Sequence, residues 1–118
     1  MKIAINKDFG GFGLSEEAFE LLLNRKGIAF EKQEDEDFFE ALYFYAGRPH
    51  IPDNCIDKYE FYKNRTDADL VAVIEQLLEA ANDRYASLAV VEVPDDVSWH
   101  IAEYSGLEHV AENHRTWY

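Results

Sequence analysis

A chain of 118 residues, 47% hydrophobic and 14% aromatic, has the size and apolar content of one domain, residues 1–118, with its own core. Its 24 acids against 11 bases give a net charge of −13, which excludes a basic nucleic-acid-binding face. A single cysteine, Cys55, excludes an internal disulfide framework and a multi-cysteine zinc site, and no apolar run reaches the length of a membrane span, so a reducing cytoplasm is expected.

Lys2–Asn6 alternates apolar and polar residues and predicts a half-buried strand. Lys7 to Leu14 follows as a loop with Gly10, Gly11 and Gly13, where glycine allows positive φ and close backbone approach. Ser15 then predicts a helix N-cap, with Glu16 and Glu17 in the first turn, where the dipole favours acids. Leu14 and Phe19 fit a hydrophobic staple, and Gly27 fits the stop after Arg25 and Lys26.

A glycine loop that runs into a helix N-terminus offers amides to an anion, and Phe9 and Phe12 offer ring faces to a base. The other reading is a tight turn with both rings packed inward. No Gly-Lys-Ser/Thr follows, so the loop is not a P-loop, and it is not a dinucleotide fingerprint.

Ile28–Glu31 predicts a second strand. Lys32–Asp37 reads as a solvated charged loop, and a third strand is expected from about Ala41. Gly47–Asn54 is irregular, and Ile56–Tyr62, rich in aromatics, predicts another strand. The spacing of Leu70, Val71, Val73, Ile74, Leu77, Leu78 and Ala81 predicts a helix over Asp67–Ala81, capped by Thr66 or Asp67. Leu88–Val93 predicts a buried strand, and residues from Val97 to Val110 predict a hairpin turning at Ser105-Gly106. The order predicts an α+β domain, a mainly antiparallel sheet with two helices packed on one face.

The opening K-I-A-I-N-K-x-F-G-G-F-G-L-S, Lys2 to Ser15, and the closing V-V-E-V-P-D-D-V-x-W-x-I-x-E-Y-x-G-x-E-x-V-A-E-x-H-R-T-W, Val90 to Trp117, resemble a widespread family of small proteins of tailed bacteriophages and prophages. The resemblance covers more than a third of the chain and leaves Glu31–Tyr62 unmatched. It implies a phage accessory protein in the host cytoplasm. By analogy of context, such a protein counters host defence by binding an immune protein or sequestering a nucleotide signal; the resemblance implies no reaction and no cofactor.

Joined to the tail, the loop gives a candidate ligand site of Phe9, Gly10, Gly11, Phe12, Gly13, Ser15, Arg115 and Trp117. Main-chain amides would take phosphate, rings the base, and Arg115 the charge. Arg115 also reads as one half of a surface ion pair, and Trp117 as closing the core. The alternative function is an acidic, nucleic-acid-mimicking inhibitor of a basic host defence protein, with Glu34, Asp35, Glu36 and Asp37 at the interface. His109 and His114, near Glu108 and Glu112, match no zinc spacing, so no metal is expected. Aromatics between Phe38 and Tyr62 complete the core or form an interface, and a homo-oligomer is expected.

Overall fold

The computed structural model describes residues 1–34 and 41–113. Ile3, Ala4, Ile5 and Asn6 of β1 (Lys2–Asn6) are all buried, and β1 pairs antiparallel with β4 (Leu88–Glu92), Ile3 opposite Val91 and Ile5 opposite Ala89. Between them come α1 (Glu16–Arg25), β2 (Phe30–Gln33), β3 (Leu42–Tyr45), the one-turn helix α2 (Lys58–Phe61) and α3 (Ala68–Leu77). The hairpin β5 (Trp99–Tyr104) and β6 (Leu107–Glu112) follows β4.

Helix α1 is fixed at both ends by the residues that predict it. Ser15 Oγ accepts the Ala18 N–H at 3.1 Å, and Gly27, at φ +71°, ends the helix. There the Gly27 N–H donates to Asn24 O at 3.1 Å and the Ile28 N–H to Leu23 O at 2.9 Å, a Schellman closure. Ala18, Phe19, Leu22 and Leu23 face inward and meet Leu70, Val73 and Ile74 of α3 in the core. Each such fully buried aliphatic or aromatic side chain contributes roughly 1.5–3 kcal/mol relative to exposure. Asp67 caps α3, accepting the Asp69 N–H at 3.4 Å.

The α+β class and the antiparallel pairing are as the sequence predicts, but the strands form three two-stranded ladders, β1–β4, β2–β3 and β5–β6. The outer edge of β1 explains the division. There the Ala4 N–H donates to Arg65 O at 2.8 Å and the Asn6 N–H to the Glu108 carboxylate at 2.8 Å. The β5–β6 hairpin therefore docks beside β1 through a side chain and adds no rung to its ladder.

Two elements differ from prediction. Residues predicted as a strand over Ile56–Tyr62 form α2, because Asp57 caps its first turn by accepting the Tyr59 N–H at 3.0 Å, and Tyr62 turns into the core. The helix predicted through Ala81 ends at Leu77. Leu78 adopts φ +53° and a 3₁₀ turn, Leu78–Ala81, follows, bringing the carbonyls of Ala80 and Ala81 to Ser15.

Glu108 and Arg65 form the one ion pair among the described residues in which both side chains are largely buried, with Oε1 2.6 Å and Oε2 3.0 Å from the guanidinium. Glu108→Ala strands the Arg65 charge and the Asn6 amide together. We expect a loss of about 3–5 kcal/mol in urea unfolding, the cost of removing one partner of a buried pair.

Candidate functional site

The glycine loop is held by its own chain on three sides. The Gly10 N–H donates to Ser105 O at 3.2 Å, the Leu14 N–H to the Tyr62 hydroxyl at 3.0 Å, and the Ser15 N–H to Ala81 O at 2.9 Å. The Phe9 N–H donates to Asp8 Oδ1 at 2.8 Å. Gly10 and Gly11 both take positive φ, +115° and +96°. A Cβ at Gly10 would lie 2.9 Å from Tyr85 Cβ, and one at Gly13 would overlap the Asp83 carboxylate. Gly106 presses against the backbone nitrogens of Gly10 and Gly11 from the β5–β6 turn.

The two phenylalanines part company. Phe12 is half-buried, edge-on to Tyr62 at 5.1 Å, with the Arg65 guanidinium 3.8 Å over its ring. Phe9 is 56% exposed and meets the Tyr104 ring edge-on at 6.4 Å. Glu34 is exposed and lies 3.5 Å from Lys32. Arg115 and Trp117 of the predicted ligand site, and Asp35, Glu36 and Asp37 of the alternative interface, lie outside the described residues.

Beyond the loop, at the start of α1, lies a cavity of about 550 Å³. One wall is Leu14, Ser15, Glu16 and Phe19; a second is Ala41 and Tyr43 at the entry to β3, with Lys58 of α2; the third is the segment Asn82–Tyr85. Ser15 lines this cavity, whereas Phe9, Gly10, Gly11, Phe12 and Gly13 do not. The segment that closes it is shaped by short-range bonds: Asp83 Oδ1 accepts the Tyr85 N–H at 2.9 Å, and the Asp83 N–H donates to Gly13 O at 3.2 Å. Tyr85 is left 63% exposed at the mouth, with the Arg84 guanidinium 6.0 Å from its ring.

Charge within the site is arranged in pairs. Glu16 accepts from Lys32 Nζ at 2.9 Å and from the Ala41 N–H at 3.3 Å. The hydrogen bond from Lys32 holds the Glu16 carboxyl below its ordinary pKa, with the Ala41 amide and the Lys58 charge acting in the same direction. Burial pushes the Tyr43 phenol upward, helped by the Glu20 carboxylate 3.3 Å from its hydroxyl. Among the described residues no three His, Cys, Asp or Glu side chains converge to hold a metal, and Glu108 is committed to Arg65 and Asn6. No helix among them is long and apolar enough to cross a membrane.

Lys58, Asn82, Asp83, Arg84 and Tyr85 escape a reading of the sequence. Asn82-Asp83 marks only the end of a helical pattern, and Lys58 sits in a segment that predicts a strand. Gly10 and Gly13 do signal that something approaches closely, without saying that Tyr85 and Asp83 are what approaches. Comparison with protein families, curated proteins and solved structures finds no match for this chain.

Gly106→Ala combines positive φ with a clash against the Gly11 backbone, whereas at Gly11 a Cβ meets nothing within 4 Å. We expect Gly11→Ala to cost roughly 1–2 kcal/mol and Gly106→Ala more than about 3 kcal/mol in urea unfolding. The lowered Glu16 pKa stabilises the fold above the ordinary carboxylate range, and that contribution is lost as pH falls through the lowered value. Melting temperature measured against pH should fall less steeply on the acid side in Glu16→Gln than in the parent.

Proposed function

We propose that the chain is a non-enzymatic binding protein that sequesters a nucleotide-type ligand in the cavity between the start of α1, Lys58 and the Asn82–Tyr85 segment. The observation that carries this reading is the cavity itself. Its volume of about 550 Å³ lies within the range of small-molecule sites, and it joins apolar walls to two cationic residues and an exposed tyrosine at the mouth. Tyr85 supplies a face on which a base stacks, Lys58 and Arg84 supply positive charge for phosphate, and Ser15 and Asn82 supply hydrogen-bonding groups.

The glycine loop serves this site indirectly. Gly10 and Gly13 let the backbone run against Tyr85 and Asp83, and so hold the third wall of the cavity in place. In the phage setting implied by the resemblance, uptake of a host nucleotide signal in the host cytoplasm is a counter-defence role.

Isothermal titration with nucleosides, cyclic mononucleotides and nucleoside mono- and triphosphates tests the reading. We expect saturable heat with at least one of them, weakened at least about tenfold by Tyr85→Ala, in line with the loss of one stacking contact. Tyr85 is exposed, so the variant should melt at the parent temperature. Absence of heat across the panel, or parent-like affinity in Tyr85→Ala, would overturn the proposal.

A further inference from the structure

Away from the cavity, the β5–β6 hairpin brings two histidines to one face. His100 stands opposite Ala111, and His109 stands opposite Ala102. Side chains alternate along a strand and directly opposed residues share a face, so these four residues are the corners of one square. The histidines take one diagonal and the alanines the other, and both histidines are exposed. We infer that His100 and His109 form a two-histidine site for a divalent transition-metal ion of the Zn²⁺ or Ni²⁺ class. The inference goes beyond the nucleotide reading and does not depend on it.

Diagonal neighbours across an antiparallel pair lie roughly 7–8 Å apart, within reach of long and aromatic side chains. Two imidazoles on that diagonal can converge on one ion, with metal–nitrogen bonds of about 2.0–2.1 Å. The methyl groups of Ala102 and Ala111 leave the space between the rings open.

A second observation concerns the His100 ring. Asn113 is pinned beside it: the Asn113 N–H donates to Ser98 O at 2.8 Å, and Nδ2 donates to Ser98 Oγ at 2.8 Å and to Trp99 O at 3.2 Å. A backbone carbonyl only accepts, so the amide is assigned with Nδ2 on Trp99 O and Oδ1 toward His100. His100 Nδ1 then donates to Asn113 Oδ1, and Nε2 keeps its lone pair. A hydrogen bond of this kind fixes the ring and tautomer of a metal-binding histidine.

The ligand set also names the class of ion. Neutral imidazole suits zinc, copper and nickel, whereas calcium and magnesium take oxygen ligands. Glu103, Glu108 and Glu112 lie on the opposite face of the hairpin, and no third His, Cys, Asp or Glu among the described residues joins the pair. Water therefore fills the remaining positions on the ion.

Titration of the whole chain, free of any histidine tag, with Zn²⁺ and with Ni²⁺ tests the site. We expect saturable binding of one or both ions, weakened at least about tenfold by His100→Ala and by His109→Ala, and unchanged by His50→Ala. Both ligands are exposed, so the variants should melt at the parent temperature. Nitrogen-15 spectra of the histidine rings give an independent readout. Before metal is added, His100 should carry its proton on Nδ1, and Asn113→Ala should release that tautomer and weaken binding about tenfold or more. On titration the Nε2 signal of His100 and a ring-nitrogen signal of His109 should shift together with Zn²⁺, and neither with Mg²⁺. Absence of saturable binding by both ions, parent-like affinity in either folded alanine variant, or a His100 proton on Nε2 would overturn the inference.

Discussion

One buried polar cluster ties the chain together: Asn6, Arg65 and Glu108. Asn6 has no exposed surface, and all of its side-chain groups are used. Its Nδ2 donates to Asp8 O at 2.7 Å and to Gly106 O at 2.8 Å, while its Oδ1 accepts the Ser87 N–H at 2.9 Å and the Asp8 N–H at 3.4 Å. Glu108 takes the Arg65 fork on both oxygens and the Asn6 N–H on one. A network of this kind is tolerable only when complete, because a half-satisfied member in a low dielectric costs more than an apolar replacement would. Among the described residues, no buried side-chain polar atom lacks a partner.

The consequence is positional. Residues 6, 65, 87, 106 and 108, far apart in sequence, converge on the exit of β1, and Arg65 carries on to the face of the Phe12 ring. The glycine loop thus starts from a fixed point, passes under Gly106 and ends at Ser15, which is itself tied to Ala80 and Ala81. A loop held at its start, middle and end is a spacer of set shape. Its glycines answer to Tyr85, Asp83 and Gly106 before they answer to a ligand.

That constraint marks how far the sequence is legible. Helix α1 is written locally, in Ser15, Leu14 with Phe19, and Gly27, and every one of those signals is used as it reads. The hairpin turn at Ser105-Gly106 and the strands Lys2–Asn6 and Leu88–Glu92 are legible for the same reason, since period and turn chemistry lie within a few residues. Ile56–Tyr62 misleads because three aromatic residues suggest strand propensity, while a single Asp57 cap starts a helical turn. The cavity is not legible at all: its three walls come from residues 14–19, 41–58 and 82–85, and their meeting is set by Asp83 against Gly13. The phage resemblance concerns the two ends of the chain, and much of the cavity is built from residues outside them.

Electrostatics gives the cavity its distinctive place on this molecule. With 24 acids and 11 bases, most of the surface repels an anion. Several cations serve as structural clasps: Lys26 on Asp67 at 2.6 Å, Lys2 on Glu75 at 2.9 Å, Lys32 on Glu16 at 2.9 Å and Arg65 on Glu108. At the cavity, among the described residues, the cations Lys58 and Arg84 stand with the carboxylates Glu16 and Asp83, and Glu16 is itself held by Lys32, so positive charge is gathered there in a molecule whose total is −13.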